Sequence, residues 1–273
     1  MGKQVVVRSM LCALVVAGCS EDEPEELVID VDALVGGQPF SCSASFAGLG
    51  RGGSTFTPTD FRMYVHDVEV ITEDGARVRA PFVADNSWQQ ESVALLDFED
   101  ASGSCANGTP EVNTRLVVSV PADTTFTGIA LKIGVPQELN HQNQATALSP
   151  LNITGMHWSW TAGYKFLKLD GSSDTMDTAL FHLGSTMCTG DAPDITCMAA
   201  NRPSFEVDGW RAGDALTLDV AALFDGAHLD TNEGGPAGCM SGPEDADCAP
   251  LFSNLGLSHS GVPGAQRAIF SAK

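Results

Sequence analysis

The chain has 273 residues, and its 35 acidic and 14 basic side chains give a formal net charge of −21. A chain this acidic is unsuited to binding nucleic acid or an anionic membrane surface, because both need clustered basic side chains. The acidic residues are spread over predicted loops, which indicates a strongly solvated protein surface.

Residues 1–18 have the organisation of a bacterial export signal. Lys3 and Arg8 supply positive charge, and the apolar run over residues 10–18 is too short for a bilayer, which needs about 20 apolar residues. Small residues stand directly before Cys19, which is the pattern of a lipobox. Cys19 is therefore predicted to carry a lipid anchor. An ordinary signal peptide followed by a chance Cys is the alternative.

The export signal predicts a lipid-anchored protein of the periplasm or cell surface. Ser20 follows the predicted lipidated Cys. Lipoproteins with Asp at this position resemble inner-membrane residents, so Ser favours the outer membrane. Loss of Lys3 and Arg8 with the signal would change the formal charge from −21 to −23. Residues 19–27 are acidic and are predicted to form a disordered tether. Residues 28–273 fit one domain of a size that all-β folds commonly reach.

Eight Cys are present, of which Cys12 leaves with the signal and Cys19 takes the lipid. An even number of remaining Cys in an oxidising compartment predicts three disulfides, and sequence alone does not choose among the possible pairings. A metal site is the rival interpretation, but the chain has no CxxC pair. We favour two pairings that close short loops, Cys188–Cys197 and Cys239–Cys248, and one that closes a long loop, Cys42–Cys105.

Apolar and polar residues alternate with period two along much of the chain, which predicts strands. The alternating runs cover residues 27–31, 61–70, 115–120, 129–135, 216–220 and, weakly, 267–270. A short helix is predicted at residues 220–224, and long loops at residues 97–110, 171–177 and 230–250. Such a pattern is typical of an antiparallel sandwich or barrel. We predict an all-β chain, an antiparallel β-sandwich with long disulfide-stapled loops and at most short helices.

The run over residues 61–70 changes phase in its middle. Phe61, Met63 and Val65 alternate as apolar residues, and the apolar positions then shift to Val68 and Val70. A phase switch within a strand predicts a β-bulge, here at His66-Asp67, and bulges are frequent beside functional sites.

Several enzyme and ligand motifs are absent or misplaced. Residues 48–53 match GxGxxG, but no helix is predicted after them, so we interpret them as a flexible loop. No GxSxG nucleophile elbow is present, and nothing marks a carboxylate pair for glycoside cleavage. Asp170, Asp174 and Asp177 miss the spacing of an EF-hand and predict an acidic hairpin loop.

Histidine and tryptophan residues concentrate in one part of the sequence. Four of the six His are at positions 66, 141, 157 and 182, and Trp158 and Trp160 lie between them. If the residues converge, imidazoles without carboxylates would suit a soft or borderline metal such as copper. Taken alone, each His could equally be a satisfied core or loop residue.

Motifs spread over most of the mature chain are jointly specific. They are residues 39–42, 60–68, 93–99, 134–136, 139–141, 149–152, 156–166, 181–186 with Cys188, and 238–241. In this order they resemble the MbnP-like family, the four-Cys proteins of metallo-mystery pair systems. The resemblance implies copper handling outside the cytoplasm by a protein that is not itself an enzyme.

The resemblance also implies a partner, a di-haem protein similar to bacterial cytochrome c peroxidase (MbnH-like). Such a partner oxidises a Trp of its client to kynurenine, which offers a carbonyl and an arylamine where indole has one N–H donor. Trp158 and Trp160 are both candidates for this modification. His66, His141 and His182 match the family pattern, and we expect them to form a preformed ring that binds copper. His157 replaces an aromatic residue of many relatives and receives no ligand role.

Two other functions remain open from the sequence. The chain could be a structural or adhesive surface lipoprotein whose Trp and His side chains are only packed. It could also be a hydrolase or carbohydrate-binding sandwich, which would use Trp88 and Trp210 if they are exposed.

Overall fold

The computed structural model describes residues 23–273 apart from residues 160 and 193. The predicted signal peptide, the lipid-bearing Cys19 and the start of the acidic tether lie outside the described residues. Strands account for most of the regular structure, and the helices are short. The prediction of an all-β sandwich is confirmed.

The strands follow one another along the whole described chain. They are β1 (Glu25–Val35), β2 (Gln38–Pro39), β3 (Phe46–Leu49), β4 (Ser54–Thr72), β5 (Arg77–Arg79), β6 (Gln89–Gln90), β7 (Val93–Asp97), β8 (Arg115–Val120), β9 (Phe126–Ile133), β10 (His157–Ser159), β11 (Gly163–Tyr164), β12 (Leu167–Ser173), β13 (Ala179–Leu183), β14 (Thr186–Thr189), β15 (Thr196–Ala199), β16 (Ser204–Asp208), β17 (Leu216–Asp219), β18 (Gly238–Cys239) and β19 (Phe270–Ala272).

The helices are α1 (Val220–Leu223) and α2 (Cys248–Asn254), with a 3-10 turn at Thr154–Met156. The side chain of Asp219 accepts a hydrogen bond from the backbone N–H of Ala221 and so caps α1, which confirms the short helix predicted there. Across the described part of the chain, no helix combines the length and apolar character needed to cross a membrane.

Two main sheets enclose the core. The smaller sheet has the order β19-β17-β1-β2, with β8 also paired to β1, and the larger has the order β16-β9-β4-β12-β13-β18. Strands β3, β5 and β7 also pair with β4, which is the centre of the larger sheet. Most pairs are antiparallel, but β1–β17 and β13–β18 are parallel. Apolar side chains of both sheets form one buried cluster.

The predicted tether and loops need two corrections. Residues 25–27 belong to β1 rather than to a disordered tether, since Glu25 is paired with Val120 of β8 and the ladder satisfies their backbone groups. The predicted loop over residues 230–250 contains β18 and the first turn of α2. The weak last strand also starts later than predicted, at Phe270.

The predicted bulge in β4 is confirmed. The register of β4 against β9 shifts between His66 and Glu69, and Asp67 has a positive φ of 48°. Residues 60–66, before the bulge, are buried on both faces of the strand. The side of β4 that faces away from the sandwich core is therefore also covered by protein.

All three favoured disulfides are confirmed, namely Cys42–Cys105, Cys188–Cys197 and Cys239–Cys248. The first and third are buried, whereas Cys188 and Cys197 are partly exposed. The exposed disulfide joins β14 to β15, which form a two-stranded sheet of their own outside the two main sheets.

Candidate metal centre

One face of the larger sheet carries buried charges and imidazoles. Arg62 of β4 is paired with Lys168 of β12, which is paired with His182 of β13. Directly paired residues project to the same face of a sheet, and so do residues two positions apart on one strand. We call this set the polar face: Asp60, Arg62, His66, Lys168, Asp170 and His182.

The described residues of the segment 134–166 cover the polar face; Tyr64 of β4 ties the segment to the sheet, and Tyr164 ties two parts of the segment to each other. The hydroxyl of Tyr64 donates to the carbonyl of Pro150 at 2.9 Å, and that of Tyr164 donates to the carbonyl of Leu151 at 2.8 Å. The charges beneath are paired, because Arg62 and Lys168 both donate to the carboxylate of Asp60. Paired burial of this kind avoids the high cost of an isolated charge.

His182 has the local arrangement of a metal ligand. Its Nε2–H donates to Oδ1 of Asp170 at 2.6 Å, while its Nδ1 is buried without a hydrogen-bond partner. Burial opposes ionisation of Asp170, but the hydrogen bond from His182, aided by Lys168, keeps its pKa below the ordinary value. In metal-binding His, a carboxylate commonly accepts a hydrogen bond from one ring nitrogen and leaves the other nitrogen free to bind the metal.

Trp158, on the short strand β10, lies next to His182 of β13. The two ring centroids are 6.3 Å apart, and the indole Nε1 is buried without a partner. The indole also lines an open cavity of about 450 Å³ together with Met187, Cys188 and Met240. Gly184 makes this position possible, because a Cβ there would lie 2.4 Å from Cζ3 of Trp158. The indole is thus close to a bare imidazole nitrogen and reachable from the cavity.

His141 and His157 lie near each other beside the same segment. The ring of His157 packs edge-on against Tyr164 at 4.9 Å, and its Nε2 is buried without a partner. Burial, followed by the charge of His141, lowers the pKa of His157. His141 Nε2 is 3.2 Å from Nδ2 of Asn140 and 3.4 Å from Sγ of Cys197.

His66 is the most isolated of the predicted ligands. Both of its ring nitrogens are buried without a hydrogen-bond partner, although Oδ2 of Asp67 lies 3.4 Å from Nδ1. Burial lowers the pKa of His66 to about 4, and the positive charges of Arg202 and Lys132 act in the same direction. Arg62 of β4 lies two strands away from His182 of β13, and His66 lies four residues beyond Arg62 along β4. Strand geometry therefore puts the Cα atoms of His66 and His182 roughly 16 Å apart.

The predicted ring of three imidazoles does not form in this conformation. Among the described residues, the one group of His, Cys, Asp and Glu with ligand atoms within 4.8 Å of one another is His141 with Cys188 and Cys197. Its two sulfurs are bonded to each other and are not thiolates. The register places His66 and His182 apart on the polar face, so these two imidazoles do not meet in this conformation. Individual ligand roles for His66, His141 and His182 stay predictions.

The buried imidazole nitrogens nevertheless are suitable ligands for a soft or borderline metal. Buried polar atoms are normally hydrogen-bonded, so exceptions need an explanation. In the described chain six buried side-chain nitrogen or oxygen atoms have no partner, and five of them are ring nitrogens of His66, His157, Trp158 and His182. Imidazole nitrogens bind copper and zinc readily, which fits a metal site here.

The other tryptophans do not support carbohydrate binding. Trp210 does not meet the condition of exposure, because its side chain is fully buried and its Nε1–H donates to the carbonyl of Asp214 at 3.0 Å. Trp88 is only partly exposed and packs against the core. Trp160, the second candidate for modification, lies outside the described residues.

Sequence reasoning missed the role of Asp170, which it placed in an acidic hairpin. In the structure β12 and β13 form that hairpin, with Lys168 opposite His182 and Asp170 two positions further along the same face. The signal was present as alternation of Lys168 and Asp170 in a strand before a turn. Recognising it required the register of the hairpin, which the sequence alone does not provide.

Comparison with known proteins gives a consistent result. The family described as MbnP matches residues 24–241. Among solved structures, MbnP from Methylosinus trichosporium superposes with a TM-score of 0.81 at 28% sequence identity, covering 92% of this chain and 98% of the other. No curated protein matches the chain.

Proposed function

Because this chain belongs to the MbnP family, we propose that it is an extracytoplasmic copper-binding lipoprotein, anchored through Cys19. We propose further that it is the client of a di-haem, peroxidase-like enzyme that oxidises one Trp to kynurenine. The chain itself catalyses no reaction in this account, and copper is its cargo. Its place is the periplasm or the cell surface, at the outer membrane.

One observation supports the position of the site more than any other. Trp158 and His182 bring a partly buried indole and a bare imidazole nitrogen together, with ring centroids 6.3 Å apart, beside an open cavity. Oxidation of the indole of Trp158 would add a carbonyl and an arylamine at this place. We take Nδ1 of His182 as the first imidazole ligand, because the hydrogen bond to Asp170 orients its ring.

His141 is the second imidazole of the proposed site. It is joined to the cavity of Trp158 through the disulfide, since Cys188 lines that cavity and Cys197 contacts His141. His66 lies elsewhere on the polar face, beside the cations Lys132 and Arg202, which disfavour a bound cation. The proposal therefore assigns copper to Trp158, His182 and His141 and does not require His66.

Copper titration of protein purified from its own host tests this assignment. His182→Gln removes the oriented nitrogen and is expected to abolish binding or weaken it by at least about 10-fold, as loss of a ligand does. His228→Gln is the matched control, because His228 bonds Asp247 and Arg51 in another part of the molecule. Equal copper binding by both variants and the parent would favour a structural surface lipoprotein instead.

A further inference from the structure

We propose that the Cys188–Cys197 disulfide opens in the folded protein and that its two thiolates then take His141 as the third ligand of a second Cu(I) site, which leaves Trp158 and His182 at the first. The choice of copper as the metal rests on the proposed function, whereas the ligand set rests on geometry alone. A ring nitrogen of His141 and the two Sγ atoms all lie within 4.8 Å of one another, and Nε2 is 3.4 Å from Sγ of Cys197. Two thiolates and an imidazole are a soft donor set that suits Cu(I).

The three disulfides differ in accessibility to a reductant. Cys42, Cys105, Cys239 and Cys248 are at most 2% exposed, whereas Cys188 and Cys197 are both partly exposed and Cys188 lines the open cavity. Exposed disulfides are the ones that thiol–disulfide exchange reaches, because an attacking thiolate must approach a sulfur in line. Reduction should therefore open Cys188–Cys197 before the other two.

The hairpin that carries this disulfide keeps its shape by other bonds. Strands β14 and β15 are paired with Cys188 opposite Cys197, and their Cα atoms are 3.8 Å apart. At the base of the hairpin, Ser185 Oγ donates to the carbonyl of Ala200, and Asn201 Nδ2 donates to that of Gly184. The thiols would stay next to each other after reduction, so the ligand pair is largely preformed.

The chemistry of the step is balanced with a dithiol as reductant. The S–S bond accepts two electrons and two protons and gives two thiols, while the dithiol is oxidised to its own disulfide. Cu(I) then displaces the thiol protons, since the thiolate is the ligand form. Met187 and Met198 are chain neighbours of the two Cys and are 45% and 85% exposed, and Met187 lines the same cavity as Cys188.

The test uses purified protein reduced without denaturant by tris(2-carboxyethyl)phosphine, which is then removed without oxygen. Alkylation and peptide mapping show which disulfide opens, and Cu(I) is titrated against a chromophoric chelator. We expect Cys188 and Cys197 to be alkylated while Cys239 and Cys248, with the same sequence separation of 9, stay bonded. We expect one additional Cu(I) per chain after reduction.

Variants separate this site from the proposed copper site. The double variant Cys188→Ser, Cys197→Ser should lose the additional Cu(I), and His141→Gln should weaken it at least 10-fold, while His228→Gln should not. The inference would be overturned if the thiols of another disulfide were alkylated first, if no additional Cu(I) were bound, or if the site preferred Zn(II) to Cu(I). Additional Cu(I) in reduced protein whose oxidised form binds none would support it and count against the proposed function.

Discussion

Oδ1 of Asp170 accepts a hydrogen bond from Nε2–H of His182 at 2.6 Å, and Nδ1 of the same ring is left buried without a partner. The carboxylate fixes both the tautomer and the orientation of the ring. It is held in turn by Lys168, whose Nζ is 3.3 Å from Oδ2 of Asp170. The polar face thus positions one bare imidazole nitrogen beside Trp158.

Asp170→Asn should weaken copper binding without unfolding the protein. The amide oxygen still accepts the hydrogen bond from His182, but it lacks the negative charge that increases the basicity of the ligand. Loss of such an outer partner typically costs about 10- to 100-fold in metal affinity. Asp174→Asn is the control, because Asp174 lies in the turn beyond β12 and only accepts from the backbone of Thr55. An unchanged copper affinity in the Asp170 variant would show that His182 is not a ligand.

Gly184→Ala should disturb the position of Trp158. A Cβ at this position would lie 2.4 Å from Cζ3 of Trp158 and 2.8 Å from the carbonyl oxygen of Tyr164, so the indole must move. Overpacking of this kind costs about 1–3 kcal/mol of unfolding free energy. Denaturant unfolding and indole fluorescence measure the two effects.

Gly155→Ala is the comparison for that experiment. The nearest atom to its added Cβ is the end of the Arg62 side chain at 3.1 Å, which can adjust. A loss of stability as large as that of Gly184→Ala would show that the cavity wall is not specially tight.

Asp97 should make the protein less stable as the pH rises towards neutrality. Burial raises the pKa of Asp97 from 3.8 to about 7, opposed by Arg62 and assisted by Glu99. The folded state therefore holds a proton that the unfolded state releases, and the associated stabilisation is present below pH 4 and is lost as the pH rises through 7. Asp97→Asn keeps an acceptor for the backbone N–H of Glu99 and cannot ionise.

The difference in unfolding free energy between Asp97→Asn and the parent isolates this group from all others that titrate. We expect the variant to gain stability relative to the parent between pH 5 and pH 7.5, by on the order of a few kcal/mol at most. Parallel pH profiles for the two proteins would mean that Asp97 titrates normally.

Patterns that depend on neighbouring residues could be predicted from the sequence. The change of apolar phase after Val65 indicated the bulge at Asp67, and short loop lengths indicated the Cys188–Cys197 and Cys239–Cys248 pairs. Helix α2 was missed because it lies in a segment rich in Gly, Pro and Asp and begins at the disulfide-bonded Cys248.

The candidate site depends on register between distant strands, which the sequence does not contain. His66 was correctly located in a strand, but only the pairing of β4, β12 and β13 shows that His66 and His182 are separated. The burial of Trp210 depends similarly on a local turn in which Asp214 supplies the acceptor for its indole. Long-range pairing decides both results, and residue type alone does not.

Peptide mass spectrometry of protein purified from its own host tests the central claim most directly. Trypsin should release residues 133–165, which contain His141, His157, Trp158 and Trp160. The account predicts kynurenine in place of tryptophan at position 158, and its absence when the gene for the di-haem partner is deleted. Unmodified Trp158 in protein from a host that makes the partner would contradict the account.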